Sequence, residues 1–285
     1  MIVVTGATGH LGRLVVDELL RRGVPAAELA VVVRTPAKAA GLAELGIDVR
    51  AGDYTEPANL AAAFAGAERL LFVSATGPNS ERVTSHRSVV EAAATAGVGS
   101  IAYTSIADAD KNPIELADVH RDTEAAIVAS GLPYTLLRNN WYFENYTATL
   151  AGAVERGGIV GAAGNGRLAA ASRADFAAAA AVVLTEAGHE GKVYELTGDS
   201  AWTMAELAAT AAAHSGTPVA YTDLPAEQYA AVLADVGLPP YMVDLLVDAD
   251  LKIAEGALAD VTDDLRTLIG RPTTTLADAV ADALS

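Results

Sequence analysis

The chain has 285 residues, 36 acidic against 19 basic for a formal net charge of −17, and is 52% hydrophobic but only 5% aromatic. Such a length supports one large domain or two unequal ones, with a core built largely from small-residue helix packing. The acidity argues against a nucleic-acid partner, the absence of cysteine excludes disulfides and thiol chemistry, and no apolar run reaches the roughly 18–20 residues needed to span a bilayer.

In chain order, MIVVTG at the N-terminus reads as a buried strand. No basic region precedes its apolar stretch, so no secretory leader is expected and a cytoplasmic protein is. LGRLVVDELLRRG follows with apolar residues at helical spacing and closes on Gly23. ELAVVVR, GIDVRAGD, RLLFVSAT, SIAYTS and PYTLLRN are further strands. Between them PAKAAGLAEL, PANLAAAFAG, SERVTSHRSVVEAAATAG and LADVHRDTEAAIVASG are helical in period. Strict alternation predicts a parallel sheet covered by helices on both faces, with right-handed crossovers.

After residue 139 the pattern loosens. NGRLAAASRADFAAAAAVVLTEAG predicts a turn, a short strand and a long helix, and KVYELTG another strand. TMAELAATAAAHSG predicts a helix with Thr203 as N-cap and Glu206 at capping-box spacing. From about 222 onward only helices are expected. The fold class is therefore α/β: a Rossmann-type doubly wound parallel sheet with a smaller, mostly helical second lobe. Residues 1–138 are expected to form the nucleotide-binding domain, with part of 165–200 returning to it, and 139–285 an interleaved substrate-side lobe.

TGATGHLG follows a strand and opens a helix, with Gly6, Gly9 and Gly12 at GxxGxxG spacing. The first glycine permits a tight turn, the second a close backbone approach to a pyrophosphate, and the third helix-on-strand packing. Free N–H groups and a positive dipole end then face the phosphates. The cofactor loop is expected to comprise Gly6, Ala7, Thr8, Gly9, His10, Leu11 and Gly12, with His10 within reach of a phosphate. At the end of the second strand, where NAD-preferring folds carry an acid, stand Arg34 and, one turn on, Lys38. An arginine fork clamps a 2′-phosphate, so NADP(H) is expected in preference to NAD(H). Asp53, after the third strand, suits either the adenine amino group or a plain turn. Ser74, Ala75 and Thr76, ending the fourth, suit backbone that runs along the cofactor. No His/Asp/Glu spacing suggests a metal.

The motifs TGATGHLG, GD after the third strand and AAATAGVGSIAYTS before the fifth resemble the atypical short-chain dehydrogenase/reductases. GLPYTLLRNNWYFENY narrows the resemblance to the NmrA-like branch. LADVHRDTE, SRADFAAAAAVVL, GHEGKVYELTGDSAWT and LIGRPTTTLAD, in order along the chain, are similar to its type 2 NAD(P)H:quinone oxidoreductases. The resemblance implies NADPH binding and two-electron reduction of a small-molecule quinone held between the lobes, without flavin. A homo-oligomer is compatible with the sequence.

Most short-chain dehydrogenases carry Tyr-xxx-Lys on the helix after the fifth strand. Here that helix begins ELADVHRDTE, and if His120 takes the lysine place, Leu116 takes the tyrosine place. Leucine transfers no proton. A ketone reduced by hydride leaves an alkoxide that needs an acid, whereas a quinone leaves a phenolate-like anion whose conjugate acid has a pKa of about 10. The missing tyrosine therefore points to quinones. Catalytic candidates are His120, which can donate to a quinone oxygen or hold the nicotinamide ribose; Ser105, at the usual catalytic serine place; and Asn140. The plain alternative for His120 is a helix residue paired with Glu124. Asn139, Asn140, Trp141, Tyr142 and Phe143 follow the sixth strand, where ligands bind in such sheets: amides for carboxamide or quinone oxygens, aromatics to stack on a ring. A dinucleotide-binding redox sensor without turnover is the competing reading. Isoflavone-reductase-like reduction is disfavoured, because that group looks to require lysine where His120 stands.

Overall fold

The computed structural model describes every residue from Met1 to Ser285. Seven strands form the main sheet: β1 (Ile2–Thr5), β2 (Leu29–Val33), β3 (Asp48–Ala51), β4 (Arg69–Phe72), β5 (Ser100–Ile106), β6 (Tyr134–Asn139) and, later in the chain, β9 (Lys192–Leu196). Their order is β3-β2-β1-β4-β5-β6-β9. Every pairing from β3 across to β6 is parallel, with Ile2 beside both Leu29 and Arg69 and Ile106 beside Asn139. The chain reverses its direction of travel between β1 and β4. In an open sheet of this kind, that switch point is where a crevice opens at the carboxyl ends of the strands.

The five inner strands form because their apolar runs are buried on both faces, the pattern of a parallel sheet under helices, while the edge strands β3 and β9 are largely exposed or partly buried. β2 is buried at all five positions. The covering helices are α1 (His10–Arg21), α2 (Ala40–Glu44), α3 (Leu60–Ala63), α4 (Asn79–Ala96) and α5 (Leu116–Ala129). Phe64, Leu70, Phe72, Val89, Ile101 and Tyr103 anchor the core on one side. After the short α6 (Glu144–Thr147), α7 (Leu150–Arg156), β7 (Gly158–Gly161) and β8 (Arg167–Leu168), the long α8 (Arg173–Thr185) packs on α1. Its residues from Asp175 to Leu184 are all buried. Alanine at half of these positions lets the helix lie close to its neighbours.

Two compact units result. One comprises residues 1–106, 119–139 and 173–194; the other comprises 107–118, 140–172 and 195–285. The second holds two small sheets, β7 with β11 (Ala220–Asp223) in parallel and β8 with β10 (Trp202–Thr203) antiparallel. Its remaining helices are α9 (Met204–Ser215), α10 (Ala226–Asp235), α11 (Pro240–Ala254), α12 (Asp264–Ile269) and α13 (Leu276–Leu284). The expected capping box is present at α9: Glu206 N–H donates to Thr203 Oγ1 at 3.1 Å and Thr203 N–H to Glu206 Oε2 at 2.7 Å. The strands β7 and β11 were not expected from the sequence. No helix is long and apolar enough to cross a membrane.

Asp250 of α11 is buried in this unit, with Oδ2 accepting from Ala162 N–H at 2.8 Å. Burial raises its carboxyl from the usual 3.8 to about 6; the Ala162 bond opposes the shift and the Asp223 charge adds to it. The phenols of Tyr146, Tyr221 and Tyr229 complete its surroundings. The folded protein thus holds this proton more tightly than the unfolded chain. Stability falls as pH rises from about 4 to about 6, and above that the charged form costs on the order of 2–3 kcal/mol. Asp250→Asn keeps an acceptor for Ala162 and removes the charge. Its Tm is expected to exceed wild type at pH 8 by clearly more than at pH 4.5 in thermal melts. A gain that is equal at both values would refute the assignment.

Candidate functional site

The glycine loop connects β1 to α1. Gly6 has φ +61°, the left-handed region that favours glycine. Gly9 N–H donates to Gly6 O at 2.9 Å, and Gly9 is the residue before the first helical turn. At Gly12 an added Cβ would lie 2.4 Å from Gly6 O and 2.7 Å from Gly6 C, so α1 packs directly on the turn. Ala7 and Leu11 are buried beneath the loop, while Thr8, Gly9 and His10 are exposed. No side chain caps α1, and no acid stands in its first turn. Its first N–H groups therefore lack a side-chain acceptor and offer a place for an anion. These features fit the pyrophosphate of a dinucleotide.

At the end of β2, Arg34 and Lys38 are exposed and make no ion pair or side-chain hydrogen bond. Lys38 lies in a single 3₁₀ turn, Pro36–Ala39. Asp53 serves a turn, with Oδ1 accepting from Thr55 N–H at 3.0 Å and Thr55 Oγ1 at 2.8 Å. The next residue matters more to the site. The Tyr54 hydroxyl lies 2.5 Å from Thr5 Oγ1 and donates to Val73 O at 3.0 Å. Burial holds this phenol above its usual range; the Thr5 bond and the Arg34 charge pull the other way, which places Arg34 in the neighbourhood of Tyr54.

The backbone leaving β4 is held by side chains. Val73 N–H donates to Thr5 Oγ1 at 2.9 Å, Ser74 N–H to Thr104 Oγ1 at 2.9 Å, and Ala75 N–H to His86 Nε2 at 2.9 Å. Thr76 follows on the same loop. Below this loop a buried polar network joins α4, β5 and α5. His86 Nδ1 lies 2.8 Å from Thr123 Oγ1, and Thr123 donates to Val119 O at 2.7 Å. His120 Nδ1 lies 2.7 Å from the Tyr103 hydroxyl, and its Nε2 is 3.5 Å from Arg82 Nη2.

Two one-way donors set the tautomers of both histidines in this network. A backbone N–H only donates, so His86 Nε2 accepts and Nδ1 carries the hydrogen. Arginine only donates, so His120 Nε2 accepts and Nδ1–H donates to Tyr103. Both histidines are neutral. Burial and then the Arg82 charge lower His86 to about 3, against a smaller opposing effect from Asp122. Burial, Arg82 and His86, in that order, hold His120 well below the ordinary histidine value. Burial likewise raises the Tyr103 phenol, against its bond to Thr123. His120 is only 3% exposed and does not pair with Glu124.

Glu124 instead receives Ser105 and Arg138. Ser105 Oγ donates to Glu124 Oε1 at 2.6 Å, and Arg138 spans the carboxylate with Nε at 3.0 Å and Nη2 at 2.7 Å. All three groups are largely buried. Leu116 opens α5, one turn before His120. Asn139, the last residue of β6, is buried.

The residues after β6 belong to the second unit. Asn140 Oδ1 accepts from Trp141 N–H at 2.6 Å, and its Nδ2 donates to Leu258 O at 3.3 Å. Asn140 N–H donates to Leu196 O at 2.8 Å. Trp141 and Phe143 are buried, and Phe143 stacks on Trp202 with centroids 5.6 Å apart. Tyr142 is half-buried, and its backbone bridges to Ala171. The glycine loop, Arg34, the Ser74–Thr76 loop, Ser105, His120 and Asn139 thus lie in the first unit, and Asn140–Phe143 in the second. Tyr54, Arg82, His86, Tyr103, Thr104 and Thr123 were not singled out by sequence reasoning.

A family model described as NAD(P)H-binding matches residues 6–187. Quinone oxidoreductase 2 of Escherichia coli (strain K12) is 50% identical over 281 residues, covering 99% of this chain and 98% of that protein. The crystal structure of NADPH-dependent quinone oxidoreductase from E. coli complexed with NADPH matches with a TM-score of 0.96, covering 100% of both chains. Citrobacter sp. triphenylmethane reductase complexed with NADP(H) matches at 0.95 with 40% identity, covering 99% of this chain and 100% of that one. NAD(P)H azoreductase of Xenophilus azovorans is 30% identical, covering 98% of this chain and 96% of that protein. The loop geometry and the full-length matches agree: the chain belongs to the NAD(P)H-binding family, as a full-length relative of quinone oxidoreductase 2.

Proposed function

We propose that this protein reduces quinones with two electrons from NADPH. The observation that carries the reading is the full-length match to quinone oxidoreductase 2, at 50% identity and a TM-score of 0.96. The site chemistry supports it. Leucine stands where an alcohol dehydrogenase needs its tyrosine, and His120 is neutral and buried. The acceptors named for the three relatives are quinone, triphenylmethane and azo compounds. Each is an extended conjugated system that delocalises an added electron pair. This common chemistry favours turnover over a silent sensor.

Bound NADPH supplies the hydride. The chain's residues bind and orient. Gly6–Gly12 offers N–H groups for the pyrophosphate, and Arg34 with Lys38 offers cationic charge for a 2′-phosphate; on this basis NADP(H) is preferred over NAD(H). Ser74–Thr76 and Asn139 line the remainder of the cofactor. Of the residues after β6, half-buried Tyr142 is the one offered to the acceptor; Trp141 and Phe143 are buried, Phe143 stacks on Trp202, and the Asn140 amide is engaged by Trp141 N–H and Leu258 O. His120 positions; as a neutral, hydrogen-bonded imidazole it is a poor acid. The phenolate-like product takes its protons from water.

Purified protein is expected to oxidise NADPH with benzoquinone-type acceptors without added flavin. Failure across a panel of such quinones would sink the reading. In the same assay His120→Gln is expected to keep kcat within about tenfold of wild type. General acids contribute about 10²–10⁴-fold, so a loss of that size would make His120 the proton donor instead.

A further inference from the structure

His86 is fully buried and directs the loop after β4. Its ring sits edge-on to Phe72, with centroids 5.0 Å apart, and to Tyr103, 5.9 Å apart. Those contacts fix the ring plane. Thr123 fixes its tautomer, since it takes the Nδ1–H at 2.8 Å and spends its own proton on Val119 O. Nε2 is thereby left as an acceptor aimed at Ala75 N–H. Below β4 the strand's amides pair with the sheet. Beyond it, three successive amides at Val73, Ser74 and Ala75 pair with Thr5, Thr104 and His86. Of these three acceptors only His86 comes from a helix and carries its orientation through a second helix.

We infer that His86 is a positioning residue for the dinucleotide: its Nε2 sets the path of the Ser74–Thr76 backbone that lies along the cofactor. The inference rests on NADPH binding by this chain and on that loop lining it, and not on the identity of the acceptor. Burial keeps the imidazole neutral, with its lone pair available across the whole working pH range. A charged imidazole would place an N–H against the Ala75 N–H and release the loop.

The test compares full-length wild type with His86→Phe and His86→Gln. Phenylalanine keeps a ring against Phe72 and Tyr103 but accepts nothing from Ala75. Glutamine carries an amide oxygen that can reach the place of Nε2. NADPH affinity is read by cofactor fluorescence without quinone, and amide hydrogen exchange at residues 74–77 is read in cofactor-free protein. His86→Phe is expected to raise the NADPH Kd about tenfold and to speed exchange at Ala75 by at least about tenfold, the scale of one unpaired buried donor. His86→Gln is expected to stay within about threefold of wild type in both readouts. The quinone KM, measured at saturating NADPH, is expected to move by less than about twofold in either variant.

An unchanged Kd in His86→Phe, equal losses in Phe and Gln, or a quinone KM that rises in step with the NADPH Kd would overturn the inference. If His86→Phe does not fold, Thr123→Val replaces it, because it removes the group that holds the tautomer while leaving Nε2 in place. A Kd raised by about threefold or more supports the inference in that variant, and an unchanged Kd overturns it. Wild type that binds NADPH tightly but reduces no quinone would defeat the functional reading and leave this one standing.

Discussion

Arg34→Ala is expected to weaken NADPH binding by about tenfold to a hundredfold while leaving NADH binding within about twofold. Hydrogen bonds to charged groups contribute about 1.5–3 kcal/mol, and each 1.4 kcal/mol is about tenfold in affinity. The side chain is exposed, and it makes no ion pair that its loss would leave broken. No acid stands at the end of β2 to take over a ribose hydroxyl, so NADH has little to lose there. Lys38 is one turn away and keeps some charge at the site, which sets the lower bound of the expected range. Fluorescence titrations with each dinucleotide decide the matter. Equal losses for both would remove the 2′-phosphate from Arg34.

The second large effect is expected at Gly12. Alanine there would place its Cβ 2.4 Å from Gly6 O, 2.7 Å from Gly6 C and 3.0 Å from Ala7 N. All three are backbone atoms, so no rotamer change relieves the clash. In an open helix the same change would gain about 1 kcal/mol from propensity, whereas overpacking costs about 1–3 kcal/mol. α1 must shift away from the turn, and the helix end then no longer faces the loop that is shaped for it. Gly12→Ala is expected to lower Tm by a few degrees, at about 2–4 °C per kcal/mol, and to raise the NADPH Kd by more than about a hundredfold. Gly41→Ala in α2 is the control, because its Cβ would meet nothing within 4 Å. It is expected to bind NADPH like wild type. If Gly12→Ala does the same, the close approach has no role in binding.

The sheet was legible because its strands are short apolar runs bounded by glycine, and both glycine-loop packing and the α9 capping box follow from local residue type and spacing. The β7–β11 pair was not. GIVG pairs with AYTD some sixty residues away, and all but one of these positions are exposed or only partly buried, so neither segment shows alternation or a continuous buried run. The buried network escaped for a different reason. Hydrophobic periodicity finds apolar stripes, and the inner stripe of α4 is partly polar. Arg82, Ser85, His86, Val89, Val90 and Ala93 are all buried. Their spacing of i, i+3, i+4, i+7, i+8 and i+11 is that of a core face. Reading burial from spacing alone, without requiring apolar residue types, would have singled out Arg82 and His86. Tyr103 offered no such sign, since within IAYTS it reads as one more core aromatic.

The serine–glutamate–arginine chain has its own chemical consequence. Ser105 gives its only proton to Glu124, and Arg138 holds that carboxylate with two donors. The hydroxyl is left with lone pairs alone. In a dehydrogenase of the Tyr-xxx-Lys kind, a serine at this place helps to donate toward a carbonyl oxygen. Here the polarity is inverted: Ser105 can receive a hydrogen bond and cannot give one. It repels a bare oxyanion and welcomes an N–H or O–H. A carboxamide amine or a finished hydroquinone suits such a group, and an alkoxide does not.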